Sequence, residues 1–143
     1  MPTLSPLAFW LGLSGLLPFF AGPLWLTLSP ASVPVWLDAV WRDYLAMIAS
    51  FMAGTLWGFA MRRTGDRAGL AALIAAVSLM LLSWGAMLLP FRVSLALFAA
   101  VFLLLLLTDV LRERGPDSIR GYLRLRLILT AGVLSCIGWR LLL

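Results

Sequence analysis

An all-α fold, a single domain of five transmembrane helices over residues 1–143, is what this sequence predicts, and three observations carry that prediction. Hydrophobic residues make up 63% of the chain and charged residues only 12%, about half the roughly 25% of a soluble domain. Five apolar runs are long enough, or nearly so, to cross a hydrocarbon core about 30 Å thick, which takes roughly 20 residues as helix. None of the runs alternates with period two, which excludes a β-barrel, the other structure that satisfies its backbone inside lipid. The mean hydropathy of +1.04 agrees. A polytopic integral membrane protein follows.

The first run covers residues 7–28. It is unlike a signal peptide, because no Lys or Arg precedes it and Pro18 and Pro23 interrupt it. A retained, kinked first helix is expected. Each proline removes an amide hydrogen, so the carbonyls of Ser14 and Phe19 must find other partners. Gly12, Gly15 and Gly22 offer it close packing. "GLSG" (Gly12–Gly15) matches an intramembrane protease motif, but such a serine needs a histidine base and the chain contains no His. Ser14 is therefore expected to bond its own helix.

"SPASVP" ends the first run, and "VPVWLDAVW" is expected to form a short helix along the membrane interface. There Asp38 would pair with Arg42, and Trp36 and Trp41 would sit among the headgroups. The second run, residues 44–61, repeats small side chains every four residues at Ala46, Ser50, Gly54 and Gly58. Such a stripe lets a second backbone approach closely where lipid removes the usual hydrophobic drive. Packing against the protein's own helices is the expected use, and docking of an outside partner is the alternative.

"RRTGDR" separates the second run from the third, residues 68–89, which Pro90 closes. The fourth, residues 93–111, ends its leucines at Thr108-Asp109, and "RGPDS" makes the last turn before residues 121–142. In an antiparallel hairpin centred near residues 116–118, Asp109 lies opposite Arg126 or Arg124. An unpaired acid at the bilayer centre costs roughly 2.5–3.5 kcal/mol, and less toward the interface. An Asp109–Arg126 ion pair fixing the hairpin register is the expectation, with Arg112 as the competing partner on the same helix. A proton path is the alternative reading of a buried acid, but no deeper acid or His accompanies this one.

All eleven basic residues are Arg, and Lys, Asn and Gln are absent as well as His. This removes imidazole ligands and the usual general base, so no catalytic residue, metal site or cofactor is expected. Cys136 is the single cysteine, set in apolar "GVLSCIGW", and reads as a small buried hydrophobe. Arg62, Arg63, Arg67, Arg112, Arg114, Arg120, Arg124 and Arg126 fall on one side of the predicted topology, against Arg42, Arg92 and Arg140 on the other. By the positive-inside rule the N-terminus is cytoplasmic and the C-terminus periplasmic. These clusters at helix ends account for the net charge of +5 without nucleic acid. Trp10, Trp25, Trp57, Trp84 and Trp139 lie near span ends, as in an aromatic belt.

Four stretches carry a family resemblance: "LGLSGLLPFFAG", "YLAMIASFMAGTLWGFA", "LLSWGAMLLP" and "LLLTDVLRE…YLRLRLILT". In this order they resemble the bacterial and mitochondrial membrane proteins grouped as domain of unknown function 3429, which include mitochondrial transmembrane protein 69. The most specific parts are S-F-x-x-G-x-x-W-G at Ser50–Gly58 and L-R-x-x-L-T at Leu125–Thr130. Tyr44, Phe51, Trp57, Trp84, Pro90, Asp109, Arg126 and Thr130 also fall on the pattern, whereas a proline associated with the third span is absent here. The resemblance implies a small polytopic protein of the bacterial or mitochondrial inner membrane, with no established activity, substrate or cofactor. The Arg-only, Ala/Leu-rich composition favours the bacterial one.

The functional expectation is a small non-enzymatic protein, an accessory or assembly subunit beside a larger membrane complex, with the lipid bilayer as its other partner. A small transporter or lipid-handling protein acting as a homo-oligomer is the alternative.

Overall fold

The computed structural model describes residues 5–62, 65, 67–113 and 121–143, with Arg112 and Glu113 described by their backbone alone. Six α-helices and one 3₁₀ turn, with no strand among the described residues, build an all-helical bundle. They are α1 (Pro6–Ser14), α2 (Leu17–Leu28), the 3₁₀ turn (Pro30–Ser32), α3 (Leu37–Met61), α4 (Arg67–Ala86), α5 (Phe91–Glu113) and α6 (Tyr122–Leu142). Taking α1 and α2 as one span, Pro6–Leu28, five helices are long and apolar enough to cross a membrane.

The first span starts where Ser5 accepts from the amide of Ala8 at 3.1 Å with Pro6 in the first turn. It breaks at Gly15–Leu16, where Gly15 and Leu16 donate to Gly12 and Leu13 rather than one residue further back. Pro18 has no amide hydrogen to give Ser14, so the chain tightens into i→i+3 bonds. Phe19 then donates to Leu16, leaving the Gly15 carbonyl to accept from the Tyr44 hydroxyl at 2.8 Å. Pro23, inside α2, releases the carbonyl of Phe19, and the Trp41 indole Nε1 donates to it at 3.0 Å. Of the two carbonyls expected to need partners, Phe19 has this one; at the other end the Tyr44 bond goes to Gly15, not Ser14. Ser14 Oγ donates to Leu11 of its own helix at 2.6 Å.

No separate interfacial helix precedes the second span. The chain is already helical at Leu37, and α3 continues unbroken to Met61. Trp41 is therefore buried rather than at headgroup level, forming an edge-to-face pair with Phe19. Asp38 pairs with Arg140 at the far end of the chain and not with Arg42, which donates to the carbonyl of Leu89 at 3.0 Å. Both differences have one cause. A helix that starts early sets Asp38, Trp41 and Arg42 on neighbouring turns against the rest of the bundle, and each is taken by a different element: α6, α2 and the turn after α4.

Pro90 precedes the first turn of α5, accepting from Ser94 at 2.8 Å. Gly121, with φ +85°, leads into α6 in a left-handed conformation that L side chains rarely adopt. The α5 helix is the spine of the bundle: Leu95, Phe98, Val101, Phe102 and Leu105 are fully buried. It packs on α3, α4 and α6, while α1 and α2 close the bundle against α3 and α6. The interior of α4 is small, with Gly69, Ala76, Ser83 and Ala86 buried beside Leu79. Facing α3 buries Ala49, Ala53 and Ala60, and these two helices make the most extensive contact in the bundle. Close approach through small residues is how helices associate in lipid. Outward, Leu103, Leu104, Leu107 and Leu111 stay exposed along α5, a surface suited to acyl chains.

Candidate functional site

Asp109 and Arg126, seventeen positions apart, meet inside the bundle between α5 and α6. Arg126 Nε donates to Asp109 Oδ2, and the two residues are only 4% and 1% exposed. Asp109 falls two residues before the end of the apolar span that closes at Leu111, and Arg126 one turn into α6. The antiparallel hairpin thus sets acid and base at one level. Arg124 is exposed, and the side chain of Arg112, like the turn at residues 116–118, lies outside the described residues.

The other edge of the guanidinium reaches across to α3. Arg126 Nη2 donates to Thr55 Oγ1 at 3.2 Å and makes a longer contact of 3.4 Å to the Met52 carbonyl, which also accepts from the Thr55 hydroxyl at 2.6 Å. The Tyr122 ring lies under the guanidinium, 5.7 Å from Cζ to centroid, and its hydroxyl approaches Thr55 Oγ1 at 3.4 Å. One arginine therefore ties three helices together. Sequence reasoning found the ion pair and missed the α3 arm. The available signal was Thr55, a hydroxyl in a stretch otherwise free of hydrogen-bonding side chains from Phe51 to Met61 apart from the Trp57 indole.

Beside this cluster a cleft of about 410 Å³ runs between α1, α3 and α6. Thr55, Tyr122 and Arg126 line it at one end, and Leu11, Ile48, Phe51 and Leu129 are among its apolar walls. A second, alanine-rich groove of about 320 Å³ lies between α3, α4 and α5, walled by Ala68, Ala71, Ala72 and Ala75.

The small-residue stripe does not face the core. Ser50, Gly54 and Gly58 are exposed, and a Cβ built on either glycine would meet nothing within 4 Å; Ala46 alone touches the core. The expected packing against the protein's own helices is thereby corrected. The buried row on α3 is Leu45, Ala49, Met52, Ala53, Leu56 and Ala60, about 100° round the helix from the stripe. Leucines and Met52 supply the volume the interior needs, which the four-residue stripe lacks.

Among the other pattern residues, Thr130 is buried and Tyr44 holds Gly15, whereas Trp57 and Trp84 are exposed on the outside of the bundle. Cys136 is fully buried as a free thiol. No group of three or more His, Cys, Asp or Glu able to hold a metal occurs among the described residues. At the end opposite the Asp109 pair, arginines join helix termini. Arg140 grips Asp38 with two bonds, of 3.0 and 2.7 Å, and lies over the Phe91 ring, while Arg92 donates to the carbonyl of Leu141 at 2.6 Å.

The family described as a protein of unknown function (DUF3429) matches residues 4–142. The chain belongs to this family. Neither a curated protein nor a solved structure matches it. Within this DUF3429 chain the match runs over all six helices, so the buried pair, the cleft and the outward stripe all lie inside the family region.

Proposed function

We propose that this protein is a non-enzymatic accessory or assembly subunit of the bacterial inner membrane, docking on a larger membrane complex through the Ser50–Gly58 face of α3. One observation carries the reading: Gly54 and Gly58, one turn apart, leave open space on a helix whose other face already fills the core. Glycines on a lipid-facing surface give up side-chain packing, and recover it when another helix backbone comes close. The non-enzymatic part rests on the sequence, which supplies no histidine base and a single, buried cysteine. The topology that goes with it is N-terminus cytoplasmic and C-terminus periplasmic, on the arginine asymmetry.

Native mass spectrometry of the protein released gently from its own membrane tests this. A larger complex of fixed stoichiometry, lost in Gly54→Leu/Gly58→Leu, is the expected result. A lone monomer sinks the subunit reading, and a homo-oligomer transfers the face to a second copy of this chain.

A further inference from the structure

We infer that the cleft between α1, α3 and α6 seats one acyl chain of a membrane phospholipid, with the ester carbonyl of that chain at the Arg126–Thr55 end. The inference rests on the bundle crossing a bilayer and is independent of any protein partner. The mouth of the cleft opens between Leu11 and Phe51, both well exposed, so in a membrane it faces hydrocarbon and fills from lipid. At about 410 Å³ the volume is within the range of small-ligand sites. Almost the whole wall is apolar, as a chain requires, and the polar groups stand together at one end.

That end is rich in donors. Among the described residues Arg126 Nη2 meets Thr55 Oγ1 at 3.2 Å and the Met52 carbonyl at 3.4 Å, and the second acceptor is already engaged by the Thr55 hydroxyl. Such contacts are at or beyond the long limit of a good N–H···O bond. An oxygen acceptor arriving from the cleft would give Nη2 a hydrogen bond of ordinary length. Asp109 neutralises the guanidinium on its far edge, so a neutral oxygen fits better than a phosphate. Depth selects the same group. Arg126 lies four residues into α6 and Thr55 six residues before the end of α3, hence about 6 and 9 Å below the helix ends at 1.5 Å per residue. Helices of 21 and 25 residues span about 31 and 37 Å, slightly more than the hydrocarbon core. Both groups thus sit a few ångströms inside its boundary, within reach of the glycerol ester carbonyls at the edge of the core.

The test is photolabelling of the full chain in vesicles of phosphatidylethanolamine and phosphatidylglycerol, with a diazirine-bearing acyl chain on the phosphatidylglycerol. Flotation of the vesicles reads membrane insertion separately. Labels concentrated several-fold on Leu11, Ile48 and Phe51 over Leu103 and Leu104 of α5, and lost from the cleft alone in Ala8→Phe, are expected. Equal labelling of all lipid-facing residues, or cleft labelling unchanged in Ala8→Phe, overturns the site. Should Ala8→Phe not fold, Thr55→Val keeps the shape and removes the hydroxyl; the count of co-purifying lipid per chain must then fall, and an unchanged count refutes the carbonyl contact.

Discussion

The indole nitrogen of Trp41 donates to the carbonyl of Phe19, the one that Pro23 strips of its helical partner. Gly22 makes this geometry possible, since a Cβ there would stand 2.7 Å from Trp41 Cδ1. Trp41→Phe is expected to destabilise the fold by about 1–3 kcal/mol, the usual cost of a buried polar group left without its bond. Replacing Pro23 by Ala returns an amide hydrogen to that carbonyl. The loss caused by Trp41→Phe must then shrink in the Pro23→Ala background, read as the coupling in a double-mutant cycle of unfolding in detergent. A coupling of zero refutes the link.

Removing one member of the Asp109–Arg126 pair breaks an ion pair buried inside the bundle. Asp109→Asn and Arg126→Gln are each expected to cost about 3–5 kcal/mol, as for a broken buried ion pair. Exchange of the two charges tests more, because Arg126 also holds Thr55 and Met52 on α3. A cation moved to α5 keeps the acid and loses those two contacts. The swap should therefore recover part of the stability and not all of it. Thermal unfolding of the swap no better than either single variant would refute pairing as the source.

At the opposite end, the Asp38–Arg140 pair has good two-bond geometry, but the Asp38 side chain is 43% exposed. Exposed pairs contribute about 0–1 kcal/mol, and salt screens them. Asp38→Asn should lower the unfolding temperature only slightly, and the difference from wild type should vanish at high salt. A large, salt-independent loss would mean that Arg140 is held there mainly for Asp38, rather than also by its place over Phe91.

Three glycines separate packing inside the molecule from packing outside it. Gly22→Ala drives a methyl into a rigid indole and should destabilise the isolated protein clearly. Gly54→Ala and Gly58→Ala meet nothing, and should leave its unfolding temperature unchanged or slightly raised, alanine being the better helix former by about 1 kcal/mol. Circular dichroism melts of the three variants side by side read the contrast. Loss of stability at Gly54 or Gly58 as large as at Gly22 would place the stripe inside the fold.

Span number and helix type were legible because apolar run length answers to membrane thickness and needs no tertiary contact. The Asp109–Arg126 pair was legible for a similar reason: a hairpin with a short turn converts distance along the chain into depth. What escaped the reading depends on rotation about helix axes. The stripe through Gly54 was visible as a spacing, yet spacing does not say which way a face turns in a solvent where both faces are apolar. In water the charged face would have announced itself; in α3 no charge lies between Asp43 and Arg62 to do so. Asp38 paired with Arg140 instead of Arg42 for the same reason, since a partner on the last helix leaves no trace in local sequence.

The kinked first span also has a history built into it. Its Gly15 and Phe19 carbonyls are met by Tyr44 and Trp41, residues that leave the ribosome only after the whole span has been made. Until then two backbone oxygens face whatever surrounds the nascent helix. Entering hydrocarbon alone would leave them without donors. The hydrogen bonding of the first span is therefore completed only by α3, a helix that comes later in the chain.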